Sequence, residues 1–372
     1  MLETIKNFIL EKTAENGKKS TDLFPHCTQG GKYKLLDECS WIGGFWPGLN
    51  FICYEMSGDV QYIDSARACM PRLKGDLDRM GASLGHDLGF LFSLSFYADY
   101  LLSGSEESKQ VTIQAADTLM ERYRAEGDYF QAWDVFPSEE HAAFFAENTT
   151  RMIIDCMYNM PLLYRAAEIT GDRSYYDAAY KHSKTAQAHL VRKDGTTAHT
   201  FVFNVDGSPK YEQTWQGFAD DSCWARGQAW AATGFALAYK FTKDESFLQT
   251  AKACADVFLR DVESDMIPKW DLSLKGDDTQ STDTSAASIA ACGMMDIYDL
   301  TGEAKYKESA EKILFSLYEN YSSKDKPEFD GLIDGATGHK PLEVDVNCAL
   351  IYGDYYFAEL AARLLEKTKT YW

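Results

Sequence analysis

The sequence predicts an all-α protein, an (α/α)6 barrel or six-hairpin toroid, formed by one domain over residues 1–372. Three observations carry this expectation: a short pattern that recurs along the chain, a strongly apolar helix ahead of each copy, and sparse strand signals. The pattern reads "SGDVQYIDSA" from Ser57, "TGDRSYYDAA" from Thr170, "TKDESFLQTA" from Thr242 and "TGEAKYKESA" from Thr301. A weaker copy, "SGSEESKQVTIQAA", starts at Ser103. Gly ends one helix in the left-handed position, and an acid or hydroxyl starts the next. An aromatic residue and an alanine then follow at helical spacing to pack inward.

The apolar helices come in order as "PGLNFICYEM", "HDLGFLFSLSFYADYLL", "DCMYNMPLLYRAAEI", "ARGQAWAATGFALAYKF", "DTSAASIAACGMMDIYDL" and "NCALIYGDYYFAELAARLL". Six apolar helices, most of them followed by a more polar one, suit a closed ring of helical hairpins. Pro161 is expected to kink or split the third, because it cannot donate to the carbonyl four residues back. At the N-terminus Leu2, Ile5, Phe8 and Ile9 fall at helical spacing among acids, which reads as an amphipathic surface helix and not as a signal peptide. "TFVFNVDGSPKY" is the one good hairpin candidate.

Composition narrows the class. The chain is 45% hydrophobic and 25% charged, as a globular protein with a large core would be. Its longest apolar run, "LGFLFSLSFYADYLL", is short and broken by Asp99, so no membrane span is expected. A net charge of −20 argues against nucleic acid and against anionic membrane surfaces. A small anionic ligand remains compatible if arginine, histidine or helix N-termini make a local positive pocket. Nine cysteines scattered from Cys27 to Cys348 form no C-x-x-C pair, which suits a reducing cytoplasm and argues against a disulfide framework or a zinc site. Seven histidines show no ligand spacing, so neither metal nor cofactor is expected.

The chemically loaded residues gather where the apolar helices begin. Trp41 and Phe45 precede the first; His86 and Asp87 open the second; Asp155 lies early in the third; Trp224 and Arg226 open the fourth, and Asp283 the fifth. In an antiparallel ring these starts share one end, so the residues would rim one pocket with helix N-termini aimed into it. Asp155 sits among Met152, Ile153, Ile154, Cys156 and Met157. A carboxylate in that company must face water, pair with a cation, or keep its proton. Arg226 opposes the dipole of the helix it opens, so it needs a partner, either a buried acid or a ligand. His86 alone reads equally as a satisfied core histidine, and Trp41 and Trp133 as core indoles.

With these segments in view, the chain resembles the unsaturated glucuronyl hydrolases of glycoside hydrolase family 88. The resemblance rests on "WIGGFWPG", "GHDLGFLF", "TRMIIDCMYNMPLLY", "AHTFVF", "WQGFADDSCWARGQAW", "DTSAASIAACG" and "LIYGDYYF", which occur in that order over nearly the whole chain. It implies an (α/α)6 barrel without metal. The implied substrate is a small anionic oligosaccharide with a C4=C5 unsaturated uronic acid at its non-reducing end. By motif Asp155 matches the general acid/base and Asp87 its partner carboxylate. His86, His199, Gln216 and Arg226 fall on binding positions, and Trp41, Trp133 and Trp230 on aromatic positions lining the subsites. Relatives often carry histidine where this chain has Trp215, and "GHKPLEVDVN" offers only His339 and Lys340 where some sulfate-preferring members have a serine and lysine cluster. A monomer or homodimer is expected.

The implied chemistry protonates C4 of a vinyl ether, adds water at C5 and lets the hemiketal open. An Asp with the ordinary pKa of about 3.9 is protonated roughly once in a thousand at pH 7, a penalty of about 4 kcal/mol. Apolar neighbours and an ionised Asp87 are expected to raise Asp155, and Arg151 is expected to point elsewhere. Other readings stay open: an unsaturated rhamnogalacturonyl hydrolase acting on pectin fragments, a sugar 2-epimerase with a histidine pair, or a non-catalytic carbohydrate-binding toroid.

Overall fold

A computed structural model describes residues 1–368 and 370–372. The chain opens with α1 (Leu2–Ser20); α2 (Phe45–Ser57) then runs inside and α3 (Gln61–Met80) returns outside it. The second inner run is α4 (Leu88–Phe92), a π-helical turn over Ser93–Tyr97 and α5 (Ala98–Ser103), backed by α6 (Glu106–Met120). A short α7 (Ala142–Ala146) stands in the next loop. Three hairpins follow: α8 (Met160–Thr170) with α9 (Arg173–His189), α10 (Ala225–Thr242) with α11 (Glu245–Asp261), and α12 (Thr284–Thr301) with α13 (Ala304–Ser316). The last helix is α14 (Ile351–Leu364).

Contacts close the ring. α2 touches the second inner run, α4 touches α8, α8 and the turn before it touch α10, and α10, α12, α14 and α2 follow in sequence. α1 packs on both α14 and α2, so the sixth hairpin is completed by the first and last helices. This is the (α/α)6 barrel that the repeat predicts. The left-handed stop of the repeat is present at each corner, and the side-chain cap at three of them. Gly58, Gly104, Gly171 and Gly302 end α2, α5, α8 and α12 at φ values between +71° and +78°, where glycine carries no Cβ penalty. In the copy without glycine, Lys243 takes that place at φ +60°. Ser105, Asp172 and Asp244 then cap α6, α9 and α11 by accepting from backbone N–H groups.

The strand content exceeds the single hairpin expected. The described residues hold β1 (Phe24–Gln29) paired with β2 (Lys32–Leu36), and β3 (Tyr123–Arg124) with β4 (Tyr129–Phe130). The expected hairpin is present as β6 (Thr200–Phe203) and β7 (Pro209–Gln213), joined by β5 (Arg151–Ile153); β8 (Ala336–His339) pairs with β9 (Val344–Cys348). Runs this short show too little alternation to be read as strands. The third inner helix also differs from expectation. It starts at Met160 with Pro161 in its first turn, where the missing N–H has no intrahelical partner to lose, so Pro161 neither kinks nor splits it.

The barrel is floored by aromatic rings. Trp230 packs on Phe90, Tyr158 and Tyr356, and Tyr158 lies 4.5 Å from Trp372. Trp372 is buried, its carbonyl accepting from Arg165 and Lys240 and its indole donating to Glu359. All nine cysteines are buried and unpaired. No described helix is long and apolar enough to cross a membrane.

Candidate active site

The inner helices begin at one end of the ring, and a small well opens there. Trp41, His86, Asp87, Trp133, Asp155, Gln216, Trp224, Arg226 and Trp230 line it, with a volume of about 80 Å³. Eight of the nine residues nominated from sequence therefore line one cavity. The ninth, His199, sits just behind the wall, its ring 4.6 Å from Trp224 and 6.0 Å from Trp133. The well leads into a wider cleft of about 370 Å³ that shares Trp41, Asp87, Trp133 and Gln216 and adds Asp134, Phe136, Phe145, Trp215 and His339 among others.

Asp155 lies on a 3₁₀ turn, Ile154–Tyr158, between β5 and α8, and not within the inner helix as expected. Its Oδ1 is buried with no hydrogen-bond partner among the described residues. Burial pushes its pKa up to about 7, against a backbone hydrogen bond and the positive charge of Arg226, which pull it down. Arg151 takes no part. It donates to Asn148, Thr200, Gln213 and the Phe144 carbonyl, and stacks 3.9 Å over the Phe144 ring.

Asp87 stands at the start of α4, where its side chain caps no N–H. Burial raises its pKa well above the ordinary carboxylate range, and the charge of Asp155 raises it further. The expected influence thus runs the other way. Arg122 and a hydrogen bond from Asn159 pull Asp87 down in turn, as Arg226 does Asp155, but burial outweighs them in both.

A missing side chain lets the two acids meet. A Cβ on Gly89 would lie 2.5 Å from Asn159 Cα and 2.6 Å from Asn159 Oδ1. Asn159 uses the space to join both segments, accepting from the Phe90 N–H at 2.9 Å and donating to the Asp155 carbonyl at 3.4 Å. Gly89→Ala is expected to destabilise by about 1–3 kcal/mol through overpacking. It should also lower kcat by moving α4 off the Asp155 turn; an unchanged kcat beside a lowered melting temperature would disconnect this contact from the chemistry.

Burial disfavours the charged form of His199 and His86. His199 Nδ1 accepts from the Trp215 and Gln216 N–H groups at 2.9 and 3.3 Å, which places the ring proton on Nε2. Burial, chiefly, lowers its pKa well below 6.5. His86 is shifted the same way by burial and by Arg122, and its Nδ1 lies 3.6 Å from Asp87 Oδ1. Gln216 donates to the Gly338 carbonyl at 3.2 Å.

Arg226 has its partner inside the protein. It donates to Asp283 at 2.7 Å and to the Thr337 and Gly338 carbonyls at 2.6 Å, and it lies 4.5 Å over Trp224. Of the two partners the sequence allows, the buried acid is present.

Sequence reasoning missed three contributors. Arg122 is 3% exposed and bonds the Ala82, Gln131 and Ala132 carbonyls, tying the segment before His86 to the segment carrying Trp133. Asn159 is the link described above. Trp215 enters an aromatic cluster with Phe144, Phe145, His141 and His339 at ring separations of 4.7–5.4 Å, forming the cleft's outer wall. Only Trp215 had a signal in the sequence, as a departure from its relatives.

Two acids with raised pKa values, set among indoles at the mouth of a helical ring, define a glycoside-cleaving class of enzyme. Comparisons with known proteins agree. The model of Glycosyl Hydrolase Family 88 matches residues 18–364. The chain is 36% identical to an unsaturated glucuronyl hydrolase of Bacillus sp. (strain GL1), over 97% of this chain and 96% of that one. It is 35% identical to an unsaturated chondroitin disaccharide hydrolase of Streptococcus pneumoniae (strain ATCC BAA-255 / R6), over 91% and 85%. The crystal structure of the Bacillus sp. GL1 protein superposes with a TM-score of 0.92 over 98% of this chain and 97% of that one. The chain belongs to Glycosyl Hydrolase Family 88. It is a glycosidase, which sets aside the epimerase and the non-catalytic toroid.

Proposed function

We propose that this enzyme is an unsaturated glucuronyl hydrolase. It removes a C4=C5 unsaturated glucuronic acid from the non-reducing end of lyase-generated, glycosaminoglycan-type disaccharides by hydrating the vinyl ether. The observation that carries this reading is the meeting of Asp155 and Asp87 in one well, with Asp155 titrating at about pH 7. The names of the similar proteins, a glucuronyl and a chondroitin disaccharide hydrolase, support the substrate class.

Asp155, protonated, gives its proton to C4, and the positive charge spreads over C5 and O5. As carboxylate it then takes a proton from the water that adds at C5, which restores the acid. The hemiketal opens by cleavage of C5–O5, and the hemiacetal left at C1 collapses to release the next sugar. With its pKa raised to about 7, Asp155 holds its proton far more often at neutral pH than an ordinary aspartate, which removes most of the ~4 kcal/mol penalty. Asp87 keeps its proton and donates to the sugar. The substrate's carboxylate is received by helix N-termini and the Gln216 amide, with His199 holding the Trp215 and Gln216 backbone from behind the wall and Arg226 positioned as one half of an ion pair. This local arrangement lets a protein of net charge −20 hold an acidic sugar. The indoles of Trp41, Trp133 and Trp230 stack on the sugar faces.

The whole chain acts as one catalytic domain, as a monomer or homodimer. Nine unpaired thiols favour a cytoplasmic setting. The test follows ultraviolet absorbance of the C4=C5 bond. An unsaturated chondroitin disaccharide should be bleached, with kcat/KM falling tenfold per pH unit above about pH 7, since Asp155 must start protonated. Bleaching of pectin-derived fragments alone would move the substrate class. Undiminished activity at pH 9 would remove Asp155 as the acid.

A further inference from the structure

Away from the well, β1 and β9 bring metal-ligating side chains together from opposite ends of the chain. His26 and Cys27 lie on β1, and Asp345 and Cys348 on β9. His26 Nδ1, Cys27 Sγ and a carboxylate oxygen of Asp345 all lie within 4.8 Å of one another. The Cys27 thiol donates to Asp345 Oδ1 at 3.0 Å, and His26 Nδ1 lies 3.7 Å from Asp345 Oδ2. Bonds of about 2.0–2.3 Å put adjacent ligands of a tetrahedral zinc roughly 3.3–3.7 Å apart, so the three side chains reach an ion with small shifts.

Three further features suit a built site. His26 Nδ1 is buried and has no hydrogen-bond partner among the described residues. The side chains of His26 and Asp345 keep 22% and 19% of their exposure, which leaves an entry path, while Cys27 is 1% exposed. Asp345 is held at φ +54° between Glu343 at +52° and Asn347 at +54°, a left-handed alternation that non-glycine residues adopt at a cost.

We propose that His26, Cys27 and Asp345 bind one zinc-type divalent cation, with water as the fourth ligand. Imidazole, thiolate and carboxylate together select a borderline ion over magnesium or calcium. Binding replaces the proton shared by Cys27 and Asp345, which leaves to solvent. The site does not belong to the hydrolytic machinery, but it is coupled to the mouth through β8. That strand pairs with β9 and supplies the Thr337 and Gly338 carbonyls that hold Arg226, together with His339 on the cleft wall. Cys27 and Thr28 bridge to Leu350 and Ala349 just beyond β9, so the ion clamps the first hairpin to this loop. The ligands stand 318 positions apart, which explains why no local spacing announces them.

The test uses the full chain, stripped with a chelator and titrated with cobalt(II). One equivalent should bind, with a sulfur-to-cobalt charge-transfer band and the visible bands of tetrahedral cobalt. Cys27→Ser should abolish the charge-transfer band, His26→Gln should weaken binding by about tenfold or more, and Cys254→Ser, far from the site, should leave both unchanged. Zinc should raise the melting temperature of the wild type but not of Cys27→Ser. Circular dichroism checks that each variant is folded. Absence of the band at a tenfold excess of cobalt, or its survival in folded Cys27→Ser, would overturn the proposal.

Discussion

Replacing Asp155 by asparagine should lower kcat by about two to four orders of magnitude, the usual contribution of a positioned acid/base, with KM little changed. The variant keeps the side chain's shape but has no proton to give to C4. The same substitution should stabilise the protein, and the sign follows from linkage. The folded pKa of Asp155 is about 7, against about 3.9 in the unfolded chain. Between those values the folded state binds the extra proton, so stability contributed by this group is present at low pH and lost as pH rises through 7. At pH 8 the wild type bears a cost of up to about 4 kcal/mol that the asparagine variant lacks. The unpaired amide offsets part of the gain. Thermal unfolding should therefore show the variant melting higher at pH 8 and level with wild type near pH 4. A variant that melts lower at both pH values would mean that the Asp155 carboxylate is stabilised in the fold, contrary to its role as a strained acid.

Arg226→Ala should cost about 3–5 kcal/mol of stability, because it strands Asp283 as a buried, uncompensated charge. Asp283 would retain the Ser285 and Ala286 N–H groups as the cap of α12, but no cation. The Thr337 and Gly338 carbonyls would lose their donors at the same time. Arg226→Met combined with Asp283→Asn should recover a large part of the loss, since removing both charges also removes their desolvation cost. Denaturant unfolding measures this directly. If the single variant were as stable as wild type while KM rose, the guanidinium would be a ligand anchor first and a structural partner second.

The ring was legible because its signal is local. Each corner needs a left-handed residue and a cap within a few positions, and Gly58, Gly171 and Gly302 with Asp172 and Asp244 supply them. The location of the site was legible for a related reason: in an antiparallel ring, the residues at the helix starts must converge. What stayed hidden depends on tertiary contact. Asp155 looked helical because its apolar neighbours suit a helix and the 3₁₀ turn alike. The pairing of Arg226 with Asp283 spans 57 positions, and the bonds from Arg122 to Ala82 span 40.

The well is a dead end. The stacked rings of Trp230, Tyr158, Tyr356 and Trp372 lie at its base, so nothing threads through the toroid. A substrate must come in by its unsaturated tip and leave one sugar shorter. For such a catalyst the effective concentration of substrate is the number of chain tips and not the mass of polymer. Its throughput on a long polysaccharide is therefore set by whatever partner activity multiplies those tips.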